Sequence, residues 1–204
     1  MNHKRWSNLG FVVALLAIGC QPVQQIPKVD AQKSEPVVAR ESIKKDPRQI
    51  AVEAKDAMFK SLSARLLDAM GNGGPAKAIE VCSREASRIA GRIGKEFSVS
   101  IGRTSFKLRN SKNSPPEWVI PLIEDRPVEP LFVELTEKRT GALFPILLKV
   151  QCLSCHGPKD QIAPEVQAQL NKLYPDDQAT DFNEGDLRGW FWVDVPDPSA
   201  IENP

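Results

Sequence analysis

The run Cys152-Leu153-Ser154-Cys155-His156 constrains this chain more than any other feature of its sequence. Two thiols three residues apart share one helical turn, and a histidine follows the second at once. That spacing lets the thiols reach the two vinyl groups of a porphyrin and lays the imidazole beneath its iron, which is the arrangement of c-type haem attachment. Other chemistries use parts of the same set. A Cys152–Cys155 redox disulfide leaves His156 without a role. A zinc site can be assembled on paper from Cys82, Cys152, Cys155 and His156. A chance occurrence has to arise in a chain of four cysteines. Haem attachment uses all three motif residues together. The expectation is one covalently attached haem c, with thioethers at Cys152 and Cys155 and His156 on the iron.

Such attachment takes place outside the cytoplasm, and the N-terminus independently reads as an export signal. Lys4 and Arg5 form a short basic region, and Leu9 to Gly19 form an apolar core too short to span a bilayer. The core ends at Leu16-Ala17-Ile18-Gly19-Cys20, which resembles a bacterial lipobox. Residues 1–19 are therefore read as a signal peptide and Cys20 as a lipidated residue that anchors the chain to a membrane by acyl groups. The plainer alternative is a secretory signal in which Cys20 is incidental. Gln21, rather than aspartate, follows the cysteine, which favours the outer membrane over the inner. The expected location is the periplasmic face of a membrane.

Charge removes one class of partner. The full chain carries a net charge of +1, and loss of Lys4 and Arg5 with the leader leaves 25 basic against 26 acidic residues. That balance provides no electrostatic footprint for nucleic acid. Residues 20–46, rich in Gln, Pro, Lys and Glu without periodicity, read as a flexible tether. Residues 47–196 read as the domain and 197–204 as a C-terminal tail.

Within the domain, apolar residues first recur with helical period. Ala51, Ala54, Met58, Leu62, Leu66 and Ala69 mark one helix, and Gly71-Asn72-Gly73-Gly74 stops it. Pro75 suits the first turn of a second helix, whose apolar stripe is Ile79, Cys82, Ala86, Ile89 and Ile93. The period then drops to two. Phe97, Val99 and Ile101 alternate with small polar residues, as in a half-buried strand. A short helix is expected around Trp118 to Glu124. Strands near Leu131–Thr136 and Ala142–Val150 fit an antiparallel hairpin. Pro164 opens a helix with Val166, Leu170 and Leu173 inward, and Leu187–Val195 forms the last strand. Helices followed by antiparallel strands describe an α+β domain with two N-terminal helices.

The second axial donor of an iron at His156 is constrained by composition. The chain has two histidines, and His3 leaves with the signal peptide, so paired histidines within one chain are excluded. Met58, Met70, Cys82, Tyr174, a lysine or water remain. Cys82 is the one cysteine not assigned to lipid or haem, although a free cysteine on an inward stripe is commonly a small buried hydrophobe.

Several segments taken together resemble a known family. They are Ala78-Ile79-Glu80-Val81-Cys82, the run from Ile101 through Arg103, Lys107 and Arg109 to Asn110, the haem motif, Ala163-Pro164-Glu165-Val166, Leu173 to Thr180, and Gly185-Asp186-Leu187-Arg188-Gly189. Their order resembles that of the PAS-like c-type haem domains of bacteria, found free-standing or as the sensor part of histidine kinases. The resemblance implies a PAS-like antiparallel sheet wrapped by helices, and an iron held by a histidine and a cysteine thiolate. Those roles fall on His156 and Cys82. Ser111, where proline is expected, is a departure confined to a loop. A kinase region is not expected beside the domain, so a signal or an electron would pass on by contact or transfer.

Arg103, Lys107 and Arg109 are candidate contacts for the anionic haem propionates, against the plainer reading of a solvated basic face. Trp190 and Trp192 share one face of the last strand, with Leu187, Phe191 and Val193 on the other, as core or haem-wall packing. Function is expected to be that of a redox or gas sensor, binding carbon monoxide or nitric oxide in the ferrous state, with a signalling or redox protein as partner. A simple electron-transfer cytochrome is the alternative. An enzyme such as a peroxidase would need a distal acid–base group, and no second histidine supplies one.

Overall fold

A computed structural model describes residues 45–197, within one unit of the chain, Ser42–Pro204. The signal peptide, Cys20 and nearly all of the tether and tail lie outside the described residues. No helix among those described is long and apolar enough to cross a membrane.

The two expected N-terminal helices are present as the two arms of α1, Pro47–Phe97. The Asp46 side chain accepts a hydrogen bond from the Arg48 amide at 3.0 Å, and Pro47 occupies the first turn, where its missing N–H costs nothing. The arms, 47–73 and 75–97, meet at Gly74, whose φ of 73° is open to glycine and strained for other residues. Pro75 then starts the second arm. The arms fold back on each other: Arg65 donates Nε and Nη2 to both Glu85 oxygens at 2.8 Å, and Arg92 reaches Ser61 at 3.3 Å.

The second arm runs further than its periodicity suggested. Phe97, expected in a strand, is the last helical residue, and Ser98 caps it with a φ of 54°. Phe97 stands four residues from Ile93 and extends the helical stripe, so it fits both periods; the helix takes it. The strand β1 is Ser100–Thr104. The short helix α2, Ile120–Ile123, lies where it was expected, preceded by a 3₁₀ turn at Glu117–Val119.

Four strands form one antiparallel sheet in the order β1-β4-β3-β2, with β2 at Leu131–Glu134, β3 at Thr140–Leu147 and β4 at Leu187–Val195. The expected hairpin is β2–β3, though β3 starts earlier, at Thr140. Gly141 falls inside it, because Trp118 packs where a side chain would stand: an added Cβ would lie 2.9 Å from the indole.

The sheet is buried on both faces. One face carries Ile101, Ala142, Phe144, Phe191, Val193 and Val195 against the helix residues Ala51, Ala54, Met58, Ile89 and Ile93. Ala51 and Ala54 are fully buried, and their small size lets the helix backbone approach the strands. The other face buries Leu143 and Trp190 beneath Val119, with Trp192 alongside. The Trp190 indole donates to the Pro127 carbonyl at 2.9 Å.

Leu187 lies on this second face, with Trp190, and not with Phe191 as alternation predicts. The cause is a bulge. Ile146 pairs with Gly189 and Leu147 with Leu187, so Arg188 is an extra residue and the alternation resets.

Candidate functional site

The Cys152-to-His156 turn follows directly from β3. Val150–Cys152 make a 3₁₀ turn, and α3, Leu153–His156, completes a single helical turn. The two thiols face different neighbours. Cys152 packs against Leu148, Ala179 and Phe182, whereas Cys155 packs against Ile79, Ile162, Val166 and Leu170. The last three belong to, or lead into, α4, Pro164–Leu173, which appears as expected. Burial, the largest influence, pushes the Cys155 thiol up, while a hydrogen bond from Ser154 and the charge of Arg109 pull the other way.

His156 is held by the segment that follows α4. Its Nδ1 lies 2.7 Å from the Ala179 carbonyl oxygen. A carbonyl can only accept, so Nδ1 carries the proton. Burial, then the charges of Arg109 and Arg188, lower the imidazole well below its ordinary value, so the ring is neutral. Nε2 is thus left with a lone pair, the form in which histidine ligates a metal. Two backbone bonds fix the turn to the same segment: Asp181 N–H to Gly157 O at 2.9 Å, and Phe182 N–H to His156 O at 3.1 Å.

Cys82 is half-buried on the second arm of α1. One turn earlier, Ile79 packs against the cluster that holds Cys155 and Tyr174. Cys82 lies within electrostatic reach of Arg103, Cys155 and Arg109. Burial raises its thiol, and Arg103 is the chief opposing influence. Of the other sequence candidates, Met58 is 1% exposed within the helix–sheet core, in a different cluster from either motif cysteine. Tyr174 is a genuine neighbour, its hydroxyl raised by burial and by Cys82.

The three basic residues singled out from sequence divide in the structure. Arg109 donates Nε to Asp177 Oδ2 at 3.0 Å and Nη2 to the carbonyls of Cys155 at 2.5 Å and Ala179 at 3.1 Å. Lys107 donates to the Thr180 carbonyl at 3.1 Å and sits 4.8 Å over the Phe182 ring. Both brace the loop that holds His156. The side chain of Arg103, opposite Phe191 on β1, makes no hydrogen bond or ion pair among the described residues.

Sequence reasoning missed Arg188 and Asp177 as site residues. Arg188, the bulge residue, donates Nη1 to Ser105 Oγ at 2.8 Å and to the Lys107 carbonyl at 3.0 Å, while its buried Nε has no partner. Burial, with Arg109 and Arg103 close by, pushes its guanidinium down to about 10. Asp177 also accepts from the Ala179 amide at 2.8 Å, a short-range turn signature that the sequence does contain.

An antiparallel sheet in this order, covered by a folded-back helix pair and short helical turns, defines the PAS-like class of α+β domain. The chain belongs to the Tll0287-like family, whose model matches residues 24–196. A similar solved structure is that of the cyanobacterial heme-protein Tll0287, with a TM-score of 0.54 and 21% identity, covering 75% of this chain and 98% of that one. No curated protein matches the chain. The family resemblance carried by the motifs is thereby borne out.

Proposed function

We propose that this chain is a membrane-tethered, extracytoplasmic monohaem c-type protein that acts as a redox or gas sensor. The observation that carries the reading is the preset imidazole: a neutral His156 with Nδ1 bound to Ala179 O, directly after two half-buried thiols on one turn. The partnerless Arg188 Nε adds a buried cation with spare donor capacity beside them, as an anionic porphyrin needs. The solved relative's description as a heme-protein agrees with this chemistry.

In this reading Cys152 and Cys155 would hold the porphyrin by thioethers, and His156 and Cys82 would donate to its iron. Bound there, haem would supply a one-electron couple and, where its second donor gives way on reduction, a position for carbon monoxide or nitric oxide. The protein's own part is positional. The 177–182 loop fixes the His156 ring, while Cys82 is carried by the helix arm that also packs on the sheet, so movement at Cys82 would be passed to that arm. Cys20 would supply the lipid anchor.

The test is the full chain matured in a host with the cytochrome c assembly machinery. The proposal expects a mass increase of one haem, a Soret band, and carbon monoxide binding after reduction with dithionite. A colourless chain at its apo mass ends the haem reading. Attached haem that stays indifferent to carbon monoxide replaces the sensor with a simple electron carrier. Retention of a Cys20→Ser variant in the membrane fraction would remove the lipid anchor.

A further inference from the structure

The site gathers more positive charge than the chain itself compensates. Arg103, Arg109 and Arg188 all act electrostatically on His156. They come from β1, from the loop after it, and from the bulge in β4. Among the described residues, the one carboxylate bonded to any of them is Asp177, in its ion pair with Arg109. Two guanidinium charges are left over. A half-buried cation without an anion is costly, so the surplus specifies what the site accepts: two negative charges, presented as planar acceptors that suit arginine forks.

The hydrogen-bond inventory decides which residues can meet them. Arg109 spends Nε and Nη2 on Asp177, Cys155 and Ala179. Lys107 is spent on Thr180 and lies over Phe182. In Arg188, Nη1 is bonded to Ser105 and Lys107, Nε is buried without a partner, and Nη2 makes no hydrogen bond among the described residues. Arg103 has no bonded partner among the described residues, and it lies on the side of the sheet that faces the helix arm bearing Cys82, since its strand neighbour Ile101 and its cross-strand partner Phe191 both pack there. We propose that Arg103 and Arg188, and not Lys107 or Arg109, hold the two haem propionates. Lys107 and Arg109 are positioning residues for the His156 loop. This rests on the haem reading above, and it departs from the assignment that sequence alone suggested for Lys107 and Arg109.

The experiment uses the full, haem-loaded chain. Resonance Raman scattering reports the propionate-bending band, and a redox titration reports the midpoint potential. Arg103→Gln and Arg188→Gln are each expected to shift the bending band. Each should also lower the midpoint, because removing a nearby positive charge favours the ferric form. Arg188→Lys keeps the charge and loses the fork, so its midpoint should stay near wild type while the band still moves. Lys107→Gln should leave the band in place. An unmoved band in both glutamine variants, with haem attached, overturns the proposal. So does a Soret change without a band shift in Arg103→Gln, which would make Arg103 a neighbour of Cys82 alone. Should Arg188→Gln fail to fold, Arg188→Lys and Arg103→Gln still decide the matter. A wild-type chain that gains no haem mass fails earlier, at the haem reading itself.

Discussion

His156 Nδ1 and the Ala179 carbonyl oxygen stand 2.7 Å apart, and this contact joins the haem-motif turn to a loop 23 residues downstream. The loop is itself braced. Asp177 accepts from the Ala179 amide at 2.8 Å and from Arg109 Nε at 3.0 Å, and Arg109 returns a bond to the Ala179 carbonyl. The imidazole orientation therefore depends on a carboxylate that never touches it.

Removing that carboxylate tests the brace. Asp177→Ala leaves the Arg109 guanidinium without its anion where both side chains are largely buried, 13% and 9% exposed. Breaking such a pair costs about 3–5 kcal/mol. Denaturant unfolding should show a loss of this order, and Arg109→Ala combined with Asp177→Ala should cost less than the sum of the single changes.

Replacing the proposed second axial donor tests the ligand set. Cys82→Ser should change the ferric absorption spectrum of the haem-loaded chain, because oxygen replaces sulfur beside the iron. Met58→Leu should not, since Met58 is buried in the helix–sheet core. A Cys82→Ser spectrum identical to wild type would pass the role to Tyr174 or another donor.

The bulge makes a separate prediction. Gly189 has a φ of 151°, and a Cβ there would lie 2.2 Å from the Thr104 carbonyl oxygen. Gly189→Ala must therefore force β1 and β4 apart, with a cost of at least about 1–3 kcal/mol from strain alone. Thermal unfolding measures it. The variant should also disturb Arg188, the neighbouring bulge residue, so the midpoint potential should move with stability.

Asp194 provides a pH dependence far from the cysteine motif. Burial raises its carboxyl above the ordinary value, and the Arg139 guanidinium, 2.9 Å away, offsets only part of that. The folded chain thus holds this proton more tightly than the unfolded chain. Its contribution is most favourable below the unfolded value of about 3.9 and is lost as pH rises through the folded value. Asp194→Asn should flatten the stability profile over that acidic interval relative to wild type. Parallel profiles for the two proteins would show that the carboxyl is not raised.

How much of this was legible beforehand follows from the range of each interaction. The helix stripes, the Gly74 break, the β2–β3 hairpin and the last strand are legible in the sequence because each is written in residues a few positions apart. Phe97 satisfies two periods, and only the cap at Ser98 separates them. Alternation alone puts Leu187 on the opposite face, because the bulge that resets it leaves no local mark beyond the glycine at position 189.

The sequence by itself determined the chemistry: two thiols and a histidine on one turn, and one further cysteine on an inward helical stripe. Tertiary structure decided the roles of the arginines. Their partners lie 46 to 83 residues away, as in Arg109 with Cys155 and Arg188 with Ser105. Which guanidinium is spent on the fold and which is left for a ligand depends on how distant segments meet. No local pattern records that.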